Sequence, residues 1–230
     1  MGPGRLGHSI AHALARAGAD VLGPLGRGAV PLGGSIVLAC VPEPEIANVA
    51  RLLPPGSIIG HLSASAPLSA LEPHERFAAH PLLPFTKDDA DFTGAACAID
   101  GSSERAIAVA RDLATLLRMR PVFVPAERRA LYHAAASMAA NFLVTLEAAA
   151  ERLAAPCGIS RNELGPVVRA SVENWLRMGG KDALTGPASR GDVETVARQR
   201  AAVAGHAPDL LPMWDTLVDA TVALARSRIE

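Results

Sequence analysis

The sequence predicts an α/β half, a parallel sheet with helices on both faces, up to about residue 125. An all-helical half over 126–230 is expected to follow it. Three observations carry that expectation. Short β-type runs alternate with helical runs through the first half, the pattern of a sheet covered on both faces. Gly2, Gly4 and Gly7 stand in G-x-G-x-x-G spacing directly ahead of a helical run. Beyond Ala126 the β-pattern stops and alanine-rich helical stretches take over.

In order, residues 8–17 read as a helix stopped by Gly18, and 20–25 as a strand. Residues 35–41 (SIVLACV) are apolar throughout and bounded by Gly34 and Pro42, as suits a strand buried on both faces. A helix over 44–53 ends at Pro54-Pro55-Gly56. Strands follow over 57–61, 77–80 and 95–99, then an amphipathic helix over 104–117 and a short strand over 121–124. A long helix over 127–155 closes at Pro156 and Gly158. Ser160 with Glu163 forms a capping box opening the next helix, which Pro166 kinks or restarts. Helices over about 192–204 and 208–227 complete the chain.

Composition narrows the function classes. With 230 residues, half of them apolar, and a formal charge of −1, the chain can bury a substantial core. Aromatics are 3% and no basic stretch is interleaved with them, so nothing points to nucleic acid. The most apolar stretch, 130–150, is broken by His133, Asn141 and Glu147 and is too polar for a membrane span. Cys40, Cys97 and Cys157 lack a C-x-x-C or His/Cys pattern, so no metal site is expected. They read as reduced thiols of a cytoplasmic protein without a secretory signal.

The glycine spacing has a mechanical basis. The first glycine makes a tight turn and the second lets bare backbone approach a pyrophosphate. The third packs the helix against the sheet, while the helix N-terminus offers amides and partial positive charge. A buried strand normally runs into such a loop, and here only Met1 precedes it. The strand would lie at the centre of the sheet. The expectation is therefore a chain that begins downstream of its natural start, or has been shortened.

Six segments give the chain a resemblance: GPGRLG at 2–7, VLACVPEPEI at 37–46, HLSAS at 61–65, AHPLLPF at 79–85, YHAAASMAAN at 132–141 and LTGPASRGDVET at 184–195. Together they resemble a bacterial family that joins a Rossmann-like domain to a C-terminal domain of unknown function numbered 2520. That family lies within the 6-phosphogluconate-dehydrogenase-like, ketopantoate reductase-related superfamily. The resemblance implies a Rossmann-like NADP-binding domain over 1–125, with its first strand absent, and a helical substrate and dimerisation domain over 126–230. It also implies a homodimer, and ketopantoate reduction in some members. One departure is that Ala64 follows Ser63 where relatives usually carry glycine.

Gly2, Gly4, Arg5, Leu6 and Gly7 would hold the pyrophosphate, with a glycine-rich tail as the plain alternative. Arg27, between Gly26 and Gly28, suits a 2′-phosphate, so NADP is favoured over NAD; otherwise it is a solvated loop arginine. Val41 and Pro42 end a strand where the ribose and nicotinamide would pass. His61 and Ser63, then His80, fall at the ends of the next two strands, where ligands gather; hydrogen-bonded structural histidines would look the same.

His133, Ser137 and Asn141 are spaced i, i+4, i+8 and form a polar stripe. It faces either a polar cleft or a packed loop. Related reductases place a lysine and an asparagine one turn apart here. This helix has no lysine, so His133 would supply the proton, as imidazole can near neutral pH. Asn141 would bind substrate rather than act on it. In the loop that carries Thr185, Arg190 and Asp192, the guanidinium is a natural partner for a substrate carboxylate. Asp192 could instead cap the following helix. Lys181 is a further candidate for proton supply.

The expected activity is an NADP-dependent reduction of the C=O or C=N of a small 2-oxo or imino acid, with ketopantoate the best single guess. The alternatives are a non-catalytic NADP-binding sensor or structural protein, or a truncated inactive chain.

Overall fold

Helix α1 (Arg5–Arg16) starts immediately after the glycine loop, with Gly4 in extended conformation as its N-cap. The computed structural model describes residues 2, 4–26, 28–29, 36–85 and 91–227. It divides into two compact units, residues 1–140 and 141–230.

In the first unit, β1 (Ile36–Ala39), β2 (Ile58–His61), β3 (Glu75–Pro81), β4 (Ala96–Gly101) and β5 (Arg120–Phe123) form one sheet in that spatial order. Neighbours run parallel except β3 and β4, which are antiparallel. The sheet is thus parallel as expected apart from this one pair. A parallel return needs a crossover, usually helical, and the described residues between Pro81 and Ala96 hold no helix.

Two cores flank the sheet. On one face Phe77, Ala79, Cys97 and Ile99 pack against Ile10 and Ala13 of α1 and against α3 (Glu104–Leu116). Helix α3 buries Ala106, Ala110 and Ala114, a stripe of small side chains at i, i+4, i+8 that lets its backbone approach the strands closely. Ser103 caps it, accepting from the Ala106 amide at 3.1 Å. On the other face Val37, Ala39 and Ile59 meet Ile46, Val49 and Ala50 of α2 (Ile46–Arg51).

No strand forms over 20–25, which corrects the sequence expectation. A strand exists only through a partner's ladder, and Gly23 and Pro24 interrupt this run. Among the described strands β1 stands at the edge of the sheet, and Ile36 is 47% exposed. A cavity of about 690 Å³ lies instead between that edge, α1, α3 and residues 19–25, lined by Leu14, Val21, Leu25 and Val37 among others.

The β-pattern ends by residue 125, yet α4 (Arg129–Ser137) belongs to the first unit. Side chains explain this: Arg129 pairs with Asp100 and Tyr132 bonds His80. The long predicted helix is interrupted by a π-turn at Met138–Phe142.

The second unit is helical, with α5 (Leu143–Ala154), α6 (Arg161–Met178), α7 (Pro187–Arg190), α8 (Val193–His206) and α9 (Leu211–Arg226). The Ser160–Glu163 capping box forms as expected, and α6 runs on through Pro166 rather than stopping there. Arg152 reaches Asp209 with both guanidinium nitrogens, at 2.6 and 2.7 Å. Among the described residues no helix is long and apolar enough to cross a membrane.

Candidate functional site

The glycine loop is built as its spacing requires. Gly2 has φ +104°, and a Cβ there would lie 2.1 Å from the Cys40 carbonyl oxygen. A Cβ on Gly7 would lie 2.0 Å from the Gly2 carbonyl oxygen. The first and third glycines thus lock the loop onto the end of β1, and side chains at either would pry it off. Gly4 differs: apart from its chain neighbours and its own helix, no atom of the described residues comes within 4 Å of where its Cβ would be. Open space therefore faces bare backbone at the N-terminus of α1, whose first turn has no acidic residue. Amides and dipole there favour an anion, so these residues fit a dinucleotide's phosphates. Arg5 is exposed and Leu6 half-buried, packed on the core. Val41 and Pro42 leave β1 beside the loop. Arg27 lies outside the described residues.

The strand ends bring a second group together. Register aligns Ala39, His61, Ala78 and Asp100 in one row across four strands. Paired residues share a sheet face, so His61 and Asp100 lie on one side, joined by His80 two residues beyond Ala78. Arg129 and Tyr132, one helical turn apart on α4, close over this row. The Arg129 Nε lies 3.7 Å from the Asp100 carboxylate, and the Tyr132 hydroxyl lies 2.8 Å from the His80 Nδ1.

His61 is fully buried, and neither ring nitrogen has a hydrogen-bond partner among the described residues. Arg129, 7% exposed, likewise leaves Nη2 without one. Burial, with the Arg129 charge adding to it, pushes His61 down to about 4. Burial and then the charges of His133 and Arg129 push His80 down to about 4. Both imidazoles are therefore neutral at neutral pH.

At the rim, the Ser63 and Ser65 hydroxyls donate to the Glu43 carboxylate, Ser65 at 2.5 Å. Ser63 Oγ also accepts from the amides of Ser65 and Ala66 at 3.1 and 3.0 Å, which ties the turn after β2. The Ser63 and Ser65 bonds, supported by the His133 charge, hold the Glu43 carboxyl below its usual range. Ala64 is buried and its φ is not positive, so its methyl packs inward and strains nothing. His133 is exposed on α4 and Ser137 half-buried at its end.

The other residues singled out lie in the second unit, each with local work. Asn141 sits in the π-turn, where i→i+5 bonding alters the angle per residue, so the straight stripe from His133 through Ser137 is not continued. Its carbonyl accepts from Thr145. Asp192 caps α8, accepting from the Thr195 amide at 3.0 Å, the capping use its position allowed. Arg190 donates to the Thr185 carbonyl, and Lys181 to the Ser227 carbonyl at 2.6 Å. Among the described residues no cluster of three potential metal ligands exists.

Sequence reasoning missed Glu43, Asp100, Arg129 and Tyr132. Glu43 and Tyr132 sit inside segments with a recognisable pattern. Asp100 and Arg129 carry no local signal, since their pairing is purely tertiary.

A family model described as a domain of unknown function, DUF2520, matches residues 95–221, more than half of the chain. No curated protein matches it in sequence. Among solved structures, a candidate NADP oxidoreductase from Bacteroides fragilis superposes with TM-score 0.82 at 18% identity, over 96% of each chain. A protein from Thermotoga maritima gives 0.76 at 24% identity, over 84% of this chain and 80% of its own. Pyrroline carboxylate reductase from Plasmodium falciparum, solved with NADP bound, gives 0.57 at 11% identity, over 98% and 97%. Likeness at these identities establishes a shared Rossmann-like fold.

Proposed function

We propose that this chain, which belongs to the DUF2520 family, is an NADP-dependent reductase of the C=O or C=N of a small 2-oxo or imino acid. Ketopantoate is the substrate to try first. The observation that carries the reading is the glycine loop: Gly2 and Gly7 are locked to β1, and Gly4 leaves open backbone at a helix N-terminus. The dinucleotide reductase named above with a similar fold supports it.

The cofactor, when bound, supplies hydride to the carbonyl carbon while the C=O electron pair moves to oxygen. Gly4, Arg5, Leu6 and Gly7 would hold its phosphates, and Val41 and Pro42 would border its ribose. The chain must then place a proton on the substrate oxygen, and His133 is the group assigned to do so, giving the alcohol. His61 and His80, both pushed down to about 4, are neutral at neutral pH and are not the imidazolium source, so among the strand-end and α4 histidines the exposed His133 is the one proposed for that task. Arg190 and Asn141 are kept as the residues that grip the substrate carboxylate, with Ser137, Thr185, Asp192 and Lys181 as subsidiary candidates. A homodimer is part of the same reading.

A second reading, a nucleotide-binding sensor without turnover, is favoured by one observation: helix α4 carries no lysine. NADPH fluorescence titration followed by ketopantoate-dependent NADPH oxidation separates the two. Saturable binding with turnover that His133→Ala abolishes supports the reductase, and binding without turnover in the wild type supports the sensor.

A further inference from the structure

The Tyr132 hydroxyl can meet His80 in two ways. It can donate to an unprotonated Nδ1, or accept from Nδ1–H while its own hydrogen turns to the His80 carbonyl. The first contact is 2.8 Å and the second acceptor lies 3.5 Å away, at the limit of a hydrogen bond. The second arrangement would leave the phenolic hydrogen poorly bonded in a half-buried place, so the first is preferred. The edge-to-face packing of the rings, with centroids 5.6 Å apart and planes at 86°, fixes the imidazole's orientation as well.

Charge does not upset this choice. Burial pushes the phenol up to about 12, so Tyr132 keeps its hydrogen. The groups around His80 are Arg129, His133 and His61, with Cys97 beside Tyr132, and the cationic ones oppose a second proton on the ring. The imidazole is then neutral, with its single hydrogen on Nε2. The bonds His80 makes to Tyr132 use Nδ1 and the carbonyl and leave Nε2 to donate elsewhere, whereas both nitrogens of His61 are buried without a partner.

We propose that Tyr132 is a positioning residue that holds His80 as a neutral Nε2–H donor, and that this N–H receives the carbonyl oxygen or imine nitrogen of the substrate. The donor half rests on the reductase reading above; the positioning half does not. A neutral imidazole suits the task, because it stabilises negative charge that grows on the oxygen without competing with His133 for the proton.

The test uses the full chain labelled with 15N-histidine, and long-range proton–nitrogen spectra at neutral pH, with His80→Gln identifying the ring signals. The expected spectrum shows hydrogen on Nε2 of His80, and Tyr132→Phe turns it into a tautomer mixture. Hydrogen on Nδ1 in the wild type, or an unchanged tautomer in Tyr132→Phe, overturns the positioning role. With NADPH and ketopantoate, His80→Phe, which keeps a ring but has no N–H, is expected to lower kcat about 100-fold, the usual loss for one donor at a developing oxyanion. Tyr132→Phe is expected to lower it about tenfold while KM for NADPH holds. Turnover with wild-type kcat in His80→Phe overturns the donor role and leaves the reductase reading standing. If wild type binds no NADPH, the reductase reading and the donor role fall together, and the spectra still decide what Tyr132 does.

Discussion

Gly4 and Gly7 separate ligand binding from folding at the level of single atoms. A methyl on Gly7 collides with the Gly2 carbonyl, so Gly7→Ala must displace the loop and lose both stability and NADPH affinity. A methyl on Gly4 meets no atom of the described residues beyond its chain neighbours and own helix, and its φ of −76° suits any residue. Gly4→Ala should cost about 1 kcal/mol through the poorer N-cap, yet weaken NADPH by about tenfold or more by filling the space for phosphate. Thermal melts beside NADPH titrations of the two variants check this contrast.

His61 gives a residue-scale prediction in pH. Its folded pKa is about 4 against an ordinary 6.5, so the unfolded chain binds the proton first as pH falls. The stability from a neutral His61 is thus complete above 6.5, and is lost as pH falls from there through 4, about 3 kcal/mol in all. His80 loses stability in the same window. Urea unfolding between pH 7 and 4 should show this slope. His61→Leu should reduce it while leaving stability at pH 7 equal or higher, because two unpartnered nitrogens disappear. An undiminished slope in that variant would contradict the assignment. The glycine loop's geometry and the place of His61 and His80 on β2 and β3 were legible in the sequence because both follow from local spacing. Arg129 and Tyr132 were not, since their partners lie far along the chain.

Elements were legible where one segment's pattern decides them, and failed where a neighbour does. The helices α1, α3 and α6 announce themselves by apolar period and caps, and β1, β2 and β3 by their runs. Residues 20–25 join no ladder among the described residues and stay irregular beside a cavity. The antiparallel β4 and the π-turn were equally unreadable, since turn geometry and a single added residue leave no periodic trace.

For the molecule as a whole, the change from α/β to helical composition was plain in the sequence. Arg129 and Tyr132 fasten α4 to the sheet, and the first compact unit runs to residue 140. The second unit exposes Phe142, Val144, Val167, Trp175 and Leu176, a density of apolar surface that a second copy of the chain would cover. Light scattering coupled to gel filtration should therefore give twice the chain mass of 23.8 kDa. Trp175→Glu with Leu176→Glu should give the monomer, and a wild-type monomer would remove the homodimer from the account.

The most direct measurement is NADPH fluorescence titration of the wild type and Gly4→Ala, each checked by thermal melt. The account predicts saturable binding by the wild type and a dissociation constant at least about tenfold higher for a Gly4→Ala protein that still folds. A folded wild type that shows no saturable binding, or a Gly4→Ala protein that binds equally well, would contradict a phosphate site at the first turn of α1.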